Sequence, residues 1–245
     1  MTLFKKLLNT FLTENIKEND YRSHMPSIIS REGYPLLICL LFCSLFLYAV
    51  STLAHGYWFL GCRTLSIITF LFFLFTVYFF RDPERSVNYN DNALLAPADG
   101  TIIDIREVDE PLYLKDKVKR VSIFMSPFDV HINRAPINGI IEFVQHNPGK
   151  FISAFKEKAS LDNESILIGI KKTDEPRRIA VKLIAGIIAR RIVFNKKVHD
   201  TLRQGDRIGM IRFGSRAELF CPLSTEIQVM CGDKVKAGKS IIGIY

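Results

Sequence analysis

The amino-acid sequence predicts a mainly β globular domain that follows an N-terminal α-helical membrane hairpin. Residues 35–80 contain one charged side chain, Arg63, whereas the rest of the chain is rich in charge. After residue 80 the apolar residues form short β-branched runs bounded by polar residues, glycine or proline, which is typical of strands. We therefore divide the chain into an N-terminal segment (1–34), a two-helix anchor (35–80) and a β-rich domain (81–245).

The N-terminal segment has an amphipathic pattern. Its apolar residues recur at helical spacing beside two lysines, Lys5 and Lys6, and are Phe4, Leu7, Leu8, Phe11 and Leu12. The pattern predicts a helix lying in the headgroup region of a membrane. The apolar run is short and no small-residue cleavage site follows it, which argues against a signal peptide.

Two apolar runs predict the membrane hairpin. Residues 35–54 carry no charge, and twenty such residues in a helix span about 30 Å of hydrocarbon. Residues 57–80 form the second run, with Arg63 near its start, where the side chain could reach the interface. His55 and Gly56 form the turn between them. Two crossings or a re-entrant pair both remain open from the sequence.

The distribution of basic residues predicts the orientation of the hairpin. The turn contains no Lys or Arg, whereas basic residues lie on both outer flanks: Lys5, Lys6, Lys17, Arg22 and Arg31 before the first run, and Arg81 and Arg85 after the second. Because basic loops stay on the cytoplasmic side, both flanks are predicted to be cytoplasmic. The β-rich domain should then lie on the inner face of the cell membrane.

Four runs in the β-rich domain predict strands: 101–105, 121–125, 166–170 and 179–184. Residues 153–159 are predicted to be helical. Two stretches, 204–209 and 232–243, place Gly-Asp and then an apolar residue in a turn, where glycine supplies a positive φ. Together with residues 96–102, they resemble the barrel-sandwich architecture of biotinyl and lipoyl carrier domains.

Charge and cysteine content limit the classes of partner. The net charge is +8, and residues 81–245 carry 27 Lys/Arg against 21 Asp/Glu, which suits an anionic membrane surface. The basic pairs are scattered without interleaved aromatic residues, so nucleic acid is not expected as a partner. The five cysteines show neither a disulfide framework nor metal-ligand spacing, and we expect no metal site and a reducing compartment.

Three motifs in the β-rich domain could carry chemistry. Gly214-Ser215 is commonly only a turn, but a Ser hydroxyl can attack the preceding carbonyl, and glycine leaves that carbonyl open. Asp99, in Pro97-Ala-Asp-Gly, suits either a β-turn or a carboxylate that orients an imidazole. His131 follows a predicted strand in a proline-bounded loop, a position where catalytic groups are often found.

Taken together, the motifs of this chain resemble the short form of the phosphatidylserine decarboxylase family. The resemblance extends over residues 31–245 and rests on five stretches: FFRDPER (79–85), PADG (97–100), MSPFDVHINRAPING (125–139), GIIARRIV (186–193) and GMIRFGSRAELF (209–220). It implies a proenzyme that cuts itself between Gly214 and Ser215. The products would be a β chain (1–214) and an α chain (215–245).

The resemblance also implies a cofactor and the roles of three residues. Ser215 would become a covalent pyruvoyl group whose ketone condenses with the substrate amine, so that no metal and no pyridoxal phosphate are needed. His131 would be the acid or base, because an unperturbed imidazole has a pKa of about 6.5. Asp99 matches the family's aspartate. The substrate would be phosphatidylserine and the product phosphatidylethanolamine.

One departure from the family pattern concerns self-cleavage. Longer relatives carry two loop histidines spaced H-x-x-H, one of them in an Asp-His-Ser relay, but here the second position is Arg134. Either His131 serves both cleavage and decarboxylation, or backbone strain drives the cleavage with less assistance from side chains.

Three other functions stay open from the sequence alone. The first is a non-catalytic, membrane-tethered carrier or adaptor, although the turn at Gln228-Val-Met lacks the lysine that a carrier needs. The second is a pyruvoyl decarboxylase for a soluble amino acid, which the apolar anchor disfavours. The third is action on an ether-linked analogue of phosphatidylserine.

Overall fold

The computed structural model describes residues 28–87, 90–149, 162–173, 175–186, 192–211 and 215–245. A short 3-10 turn (Arg31–Gly33) leads into helix α1 (Tyr34–Leu53), and helix α2 (Tyr57–Phe79) follows the turn at Gly56. The two predicted apolar helices are therefore confirmed to within one residue at each end. The amphipathic segment before residue 28, the predicted helix at 153–159 and Gly214 lie outside the described residues.

The hairpin turns its small polar residues inward and its large apolar residues outward. Ser44 on α1 and Ser66 on α2 are buried, and each hydroxyl donates to the other's carbonyl oxygen, at 3.1 and 2.8 Å. Exposed apolar side chains cover both helices, among them Phe42, Leu45, Leu60 and Leu71. This arrangement is typical of helices packed in lipid, and both helices are long and apolar enough to cross a membrane.

The chain after the hairpin is mainly β, as the sequence predicts. Its strands are β1 (Ala93–Leu95), β2 (Gly100–Glu110), β3 (Asp116–Met125), β4 (Ile132–Arg134), β5 (Gly139–Asn147), β6 (Ser165–Lys172), β7 (Arg178–Ala185), β8 (Ile192–Val193), β9 (Thr201–Leu202), β10 (Arg207–Ile211), β11 (Ser215–Pro222), β12 (Glu226–Ile227), β13 (Lys234–Val235) and β14 (Ile241–Ile244). All four predicted strand runs lie inside these elements.

The strands form one large sheet and two small ones, and the described pairings are antiparallel. The eight-stranded sheet has the order β13-β2-β3-β11-β7-β6-β5-β9, and the small sheets have the orders β1-β14-β12 and β4-β10-β8. Strand β11 lies inside the large sheet, between β3 and β7. Its side chains alternate, so that Ala217, Leu219 and Cys221 join the main apolar core.

The two Gly-Asp turns have the backbone that the sequence predicts. Gly205 has a φ of +87° and Gly232 a φ of +98°, in the region that favours glycine. Gly100 is required for a different reason. A Cβ atom there would lie 2.1 Å from the carbonyl oxygen of Phe124. The absence of a side chain at residue 100 therefore lets β2 approach the end of β3 closely.

The last turn of α2 is embedded in the β domain. Phe79 and Phe80 are 0% and 1% exposed and pack with Val130, Ile132 and Met210. The backbone N–H of Ser30 donates to the carbonyl of Phe80 at 2.7 Å, which ties the chain before α1 to the same point. The hairpin and the β domain thus share a packed junction.

Candidate active site

Ser215 is fully buried at the first residue of β11. In the ladders it lies opposite Met125 on β3 and Ala185 on β7, so the backbone is held from both sides. The Ser215 hydroxyl lies 3.1 Å from the sulfur of Met125. A thioether is a weak hydrogen-bond acceptor, so this contact competes little with proton transfer from the hydroxyl.

His131 is fully buried at the end of the loop between β3 and β4. A turn shapes this loop, because the backbone N–H of Ser126 donates to the Asp129 carboxylate at 2.8 Å. Nδ1 of His131 lies 2.9 Å from the carbonyl oxygen of Asp129, and the imidazole packs on the Phe79 ring with centroids 4.2 Å apart. The end of α2 therefore forms one wall of the histidine's pocket.

The contact with Asp129 determines which imidazole nitrogen carries the proton. A carbonyl oxygen only accepts, so Nδ1 of His131 donates and Nε2 keeps its lone pair. Nε2 is buried and finds no hydrogen-bond partner among the residues that the structure describes. Burial lowers the pKa of His131 to about 4, so the ring is neutral near pH 7. A neutral imidazole with a free Nε2 is suited to accept a proton.

Ser215 and the histidine loop meet through shared neighbours. Met125, which contacts the Ser215 hydroxyl, also lies 3.8 Å from the side-chain amide of Asn133, two residues after His131. The carbonyl of His131 accepts from the backbone N–H of Ile211, four residues before Ser215, at 3.4 Å. The structure thus brings the two predicted site residues into one buried region.

Asp99 is paired with an arginine from the segment after α2. Arg85 donates to both Asp99 carboxylate oxygens, at 2.6 and 2.7 Å, and the backbone N–H of Ala237 adds a third bond at 2.8 Å. This is a bidentate, charge-assisted pair. The Asp99 charge raises the pKa of His131, but less than burial lowers it. The structure therefore supports a distant electrostatic influence of Asp99 on the imidazole, and shows no hydrogen bond between these two described residues.

Arg134, at the position of the second family histidine, is a buried structural residue. Its guanidinium donates to the carbonyl oxygens of Gly205 and Pro83, at 3.0 and 3.2 Å, and lies 3.4 Å from the Asp82 carboxylate. Asp82 also accepts from Arg207 at 2.6 Å. Arg134 thus ties the loop after His131 to the segment that leaves α2, and an arginine is a poor proton acceptor.

The segment Phe79–Arg85 contributes more to the site than its sequence reveals. As a sequence it is explained by the exit of a helix from a membrane, yet Phe79, Asp82 and Arg85 contact His131, Arg134 and Asp99 in turn. The one visible hint is that two acidic and two basic residues follow the apolar helix directly, since such closely spaced opposite charges can form ion pairs with the domain that follows. Asn133 is also buried, and nothing in the sequence indicated its contact with Met125.

Comparison with known proteins is consistent with this geometry. A family profile described as phosphatidylserine decarboxylase matches residues 72–243. The phosphatidylserine decarboxylase proenzyme of Amoebophilus asiaticus is 44% identical over 178 residues, which cover 73% of this chain and 79% of the relative. The proenzyme of the same name from Carboxydothermus hydrogenoformans is 41% identical over 219 residues, covering 89% and 97%. This chain belongs to the phosphatidylserine decarboxylase family.

Proposed function

We propose that this chain is a proenzyme that cuts itself between Gly214 and Ser215 and then converts phosphatidylserine into phosphatidylethanolamine. The observation that carries the proposal is the burial of the Ser215 hydroxyl in the region that also holds Nε2 of His131, which has no hydrogen-bond partner within the described part of the chain. Family membership supports the activity, since the relatives are named as phosphatidylserine decarboxylase proenzymes.

Self-cleavage needs one nucleophile and one base. The Ser215 oxygen attacks the Gly214 carbonyl carbon, the peptide C–N bond breaks, and the amide becomes an ester with a free amine on residue 215. A base then removes the Cα proton of residue 215, a Cα=Cβ double bond forms, and the bond between Cβ and the ester oxygen breaks, which leaves a carboxylate on Gly214 and dehydroalanine at residue 215. Water finally replaces the nitrogen, which departs as ammonia. His131 is our candidate for the base, because Nε2 holds an available lone pair.

The space around Ser215 suits a pyruvoyl group. Such a group keeps the three carbons of serine and replaces the nitrogen by a keto oxygen, so it needs no larger cavity than the serine. Ser215 lies between Met125 and Ala185 in the ladders, an apolar setting that is shielded from bulk solvent. The pyruvoyl carbonyl, when present, supplies an electron sink for the pair released as carbon dioxide leaves an amine-bearing substrate.

The protein's own residues position the reaction. The Asp129 carbonyl and the Phe79 ring fix the His131 imidazole, whose Nε2 is placed to take or return a proton. Strand β11 is bonded to β3 and β7 along most of its length, and β13 and β14 pair with β2 and β1. An α chain of residues 215–245 would therefore stay bound to the β chain, giving an α/β heterodimer.

The helical hairpin suits a substrate whose acyl chains stay in a bilayer. The proposed arrangement has the amphipathic segment at 1–34, the anchor at 35–80 and the catalytic domain at 81–245. The basic residues on both flanks of the hairpin support a position of that domain on the cytoplasmic side of the cell membrane. Protease added to right-side-out cells should then leave the domain intact, and digestion of the domain would contradict this orientation.

The proposed cleavage is tested by the intact mass of the purified protein under denaturing conditions. We expect two chains, the smaller comprising residues 215–245, and a Ser215→Ala variant that stays at the full 28.0 kDa and is inactive. Activity is measured as carbon dioxide released from phosphatidylserine. A single uncut chain in active wild-type protein would refute the proposal. Uncut and inactive Ser240→Ala protein, altered at a serine outside the proposed cleavage site, would show that the assay reports misfolding instead.

A further inference from the structure

The loop that carries His131 is fastened to the end of α2. The Tyr78 hydroxyl and the Arg81 guanidinium both donate to the carbonyl oxygen of Phe128, at 3.0 and 2.7 Å. The Phe128 ring stands edge-on to Phe75, one turn earlier on the helix, with centroids 6.2 Å apart. Backbone and side chain of residue 128 are therefore both positioned by the membrane-proximal turn of the helix.

Phe128 itself is exposed, unlike its neighbours in the loop. Its side chain is 65% exposed, whereas Val130 and His131 are buried. An exposed phenylalanine ring leaves a large apolar area in contact with water, which is unfavourable unless something covers it. Because the ring touches Phe75, it continues the apolar surface that α2 presents outward through Leu71 and Leu74.

The residues beside Phe128 are of the types found at a membrane boundary. Tyr78 is 45% exposed, and the Arg81 guanidinium lies 3.8 Å from the centroid of its ring. Aromatic residues with a polar tip and basic residues concentrate where hydrocarbon meets water. Lipid is therefore the occupant that the surface favours, since its apolar part is continuous with the outward face of a helix long enough to cross a membrane.

We propose that Phe128, Tyr78 and Arg81 form a lipid-contacting surface that rests the active-site loop on the leaflet at the end of α2. The Phe128 ring enters the boundary between headgroups and acyl chains, and Arg81 faces the lipid phosphates. His131 follows Phe128 by three residues, so its backbone lies within about 10 Å of this surface. A serine headgroup could then reach the site while its acyl chains stay in the bilayer, a consequence that rests on the proposed function.

The contact is tested by fluorescence quenching in vesicles. The chain has one tryptophan, Trp58, so a Trp58→Phe background allows a single probe to be introduced as Phe128→Trp. The protein is reconstituted in phosphatidylcholine vesicles that carry a spin label near the top or near the end of one acyl chain. We expect strong quenching by the shallow label and weaker quenching by the deep label, as for a ring about 5–10 Å below the headgroups.

A matched control lies at the other end of β2. Leu112, 43% exposed in the turn between β2 and β3, is separated from the site by the length of β2, roughly 30 Å. Leu112→Trp in the same background should show no quenching by either label. Equal quenching at positions 128 and 112 would overturn the proposal. So would blue-shifted emission of Phe128→Trp without quenching, since that result indicates a protein partner or a second copy of the chain.

A second pair of variants separates this inference from the proposed activity. Phe128→Ser removes the ring but keeps the carbonyl that Tyr78 and Arg81 hold, and Phe128→Leu keeps an apolar side chain. We expect Phe128→Ser to raise KM for substrate in vesicles severalfold with little change in kcat. Phe128→Leu should keep KM close to the wild-type value. Wild-type protein that releases no carbon dioxide would refute the proposed function, and quenching at position 128 would still leave the lipid contact standing.

Discussion

Strand β11 and the end of helix α2 make opposite contributions to the same buried region. The strand supplies the Ser215 hydroxyl, our proposed nucleophile, from the interior of the sheet, where ladders on both sides fix it. The helix end supplies none of the proposed reactive atoms, but Phe79 packs on His131 and Arg85 pairs with Asp99. The proposed catalytic groups thus lie in the β domain, whereas the membrane-proximal segment supplies the residues packed against them. An anchor with only a tethering role would not show these contacts.

The strongest test of this comparison is a pair of truncations. Removing residues 1–80 deletes Phe79 and Phe80, each worth about 3–5 kcal/mol when buried, against a typical total stability of about 5–15 kcal/mol. We expect that protein to be insoluble or unfolded, and a protein lacking only residues 1–74 to be more stable. The measurement is urea unfolding in mild detergent. Equal midpoints would mean that the helix end does not support the β domain.

The next largest effect should come from His131→Ala. Loss of a general acid or base reduces turnover by about 10²–10⁴-fold. The mass of the chain shows whether self-cleavage slows as well, as expected if one imidazole serves both steps. His146→Ala is the control, because His146 is 52% exposed on β5 and pairs with Glu164. Normal cleavage and normal turnover in His131→Ala would remove this residue from the mechanism.

Arg85→Met should destabilise the protein by leaving a carboxylate buried without its cation. Breaking such a pair costs about 3–5 kcal/mol, and Arg85→Lys should recover only part of this because it cannot form the bidentate pair. Lys117→Met is the matched control, since its pair with Glu107 is exposed and an ion pair in contact with water contributes little to stability. The measurement is the free energy of unfolding of each variant. An equal loss of this free energy in Arg85→Met and Lys117→Met would contradict the expectation.

Phe79→Leu should shift the titration of His131 with a smaller effect on stability, about 1 kcal/mol. Burial is the main cause of the low His131 pKa of about 4; the hydrogen bond to the Asp129 carbonyl opposes this lowering, the Arg81 charge adds to it and the Asp99 charge opposes it. As pH falls from about 6.5 to 4, the unfolded chain binds a proton that the folded chain does not, so stability falls through this window.

Replacing the Phe79 ring admits water, raises the His131 pKa towards its usual value and flattens this pH dependence. Histidine NMR in detergent measures the pKa directly, and Phe72→Leu, at an exposed position on the same helix, is the control. An unchanged His131 pKa in Phe79→Leu would show that the aromatic wall does not set it.

The smallest effect should come from Ser66→Ala within the hairpin. The reciprocal bonds between Ser44 and Ser66 are hydrogen bonds between membrane helices, which contribute about 0.6 kcal/mol on average. We expect a slight loss of thermal stability in detergent and unchanged turnover. A large fall in turnover would mean that packing along the whole hairpin, and not only its last turn, reaches the active site.

The elements set by local pattern were predictable from the sequence. The two helices follow from uninterrupted apolar runs, and the strand cores follow from β-branched runs between turns. Gly205 and Gly232 were placed in turns because glycine adopts positive φ at little cost, and both do so. Ser215 and His131 were identified by the family resemblance, and the structure places both in one buried region; their catalytic roles stay predictions.

The partners of the site residues could not be predicted, because they depend on tertiary packing. Asp99 and Arg85 are separated by 14 residues, and Asp82 and Arg207 by 125, with no local rule to pair them. The contact of Phe79 with His131 depends on how α2 meets the β domain. The sequence at the end of α2 is explained by a helix leaving a membrane. It therefore gives no indication that the ring of Phe79, the last residue of the helix, packs on the His131 imidazole.

The position of Ser215 inside the large sheet has a consequence for refolding. The proposed cut before this residue would divide the chain but leave the strand pairings of the sheet in place, so the protein would fold as a single chain and afterwards exist as two. After denaturation, a separate piece of residues 215–245 would have to find its partner by diffusion, and recovery would depend on protein concentration. The uncut Ser215→Ala chain has no such dependence. The lifetime of the folded two-chain enzyme would thus depend on a slow rate of unfolding more than on the free energy of a reversible unfolding equilibrium.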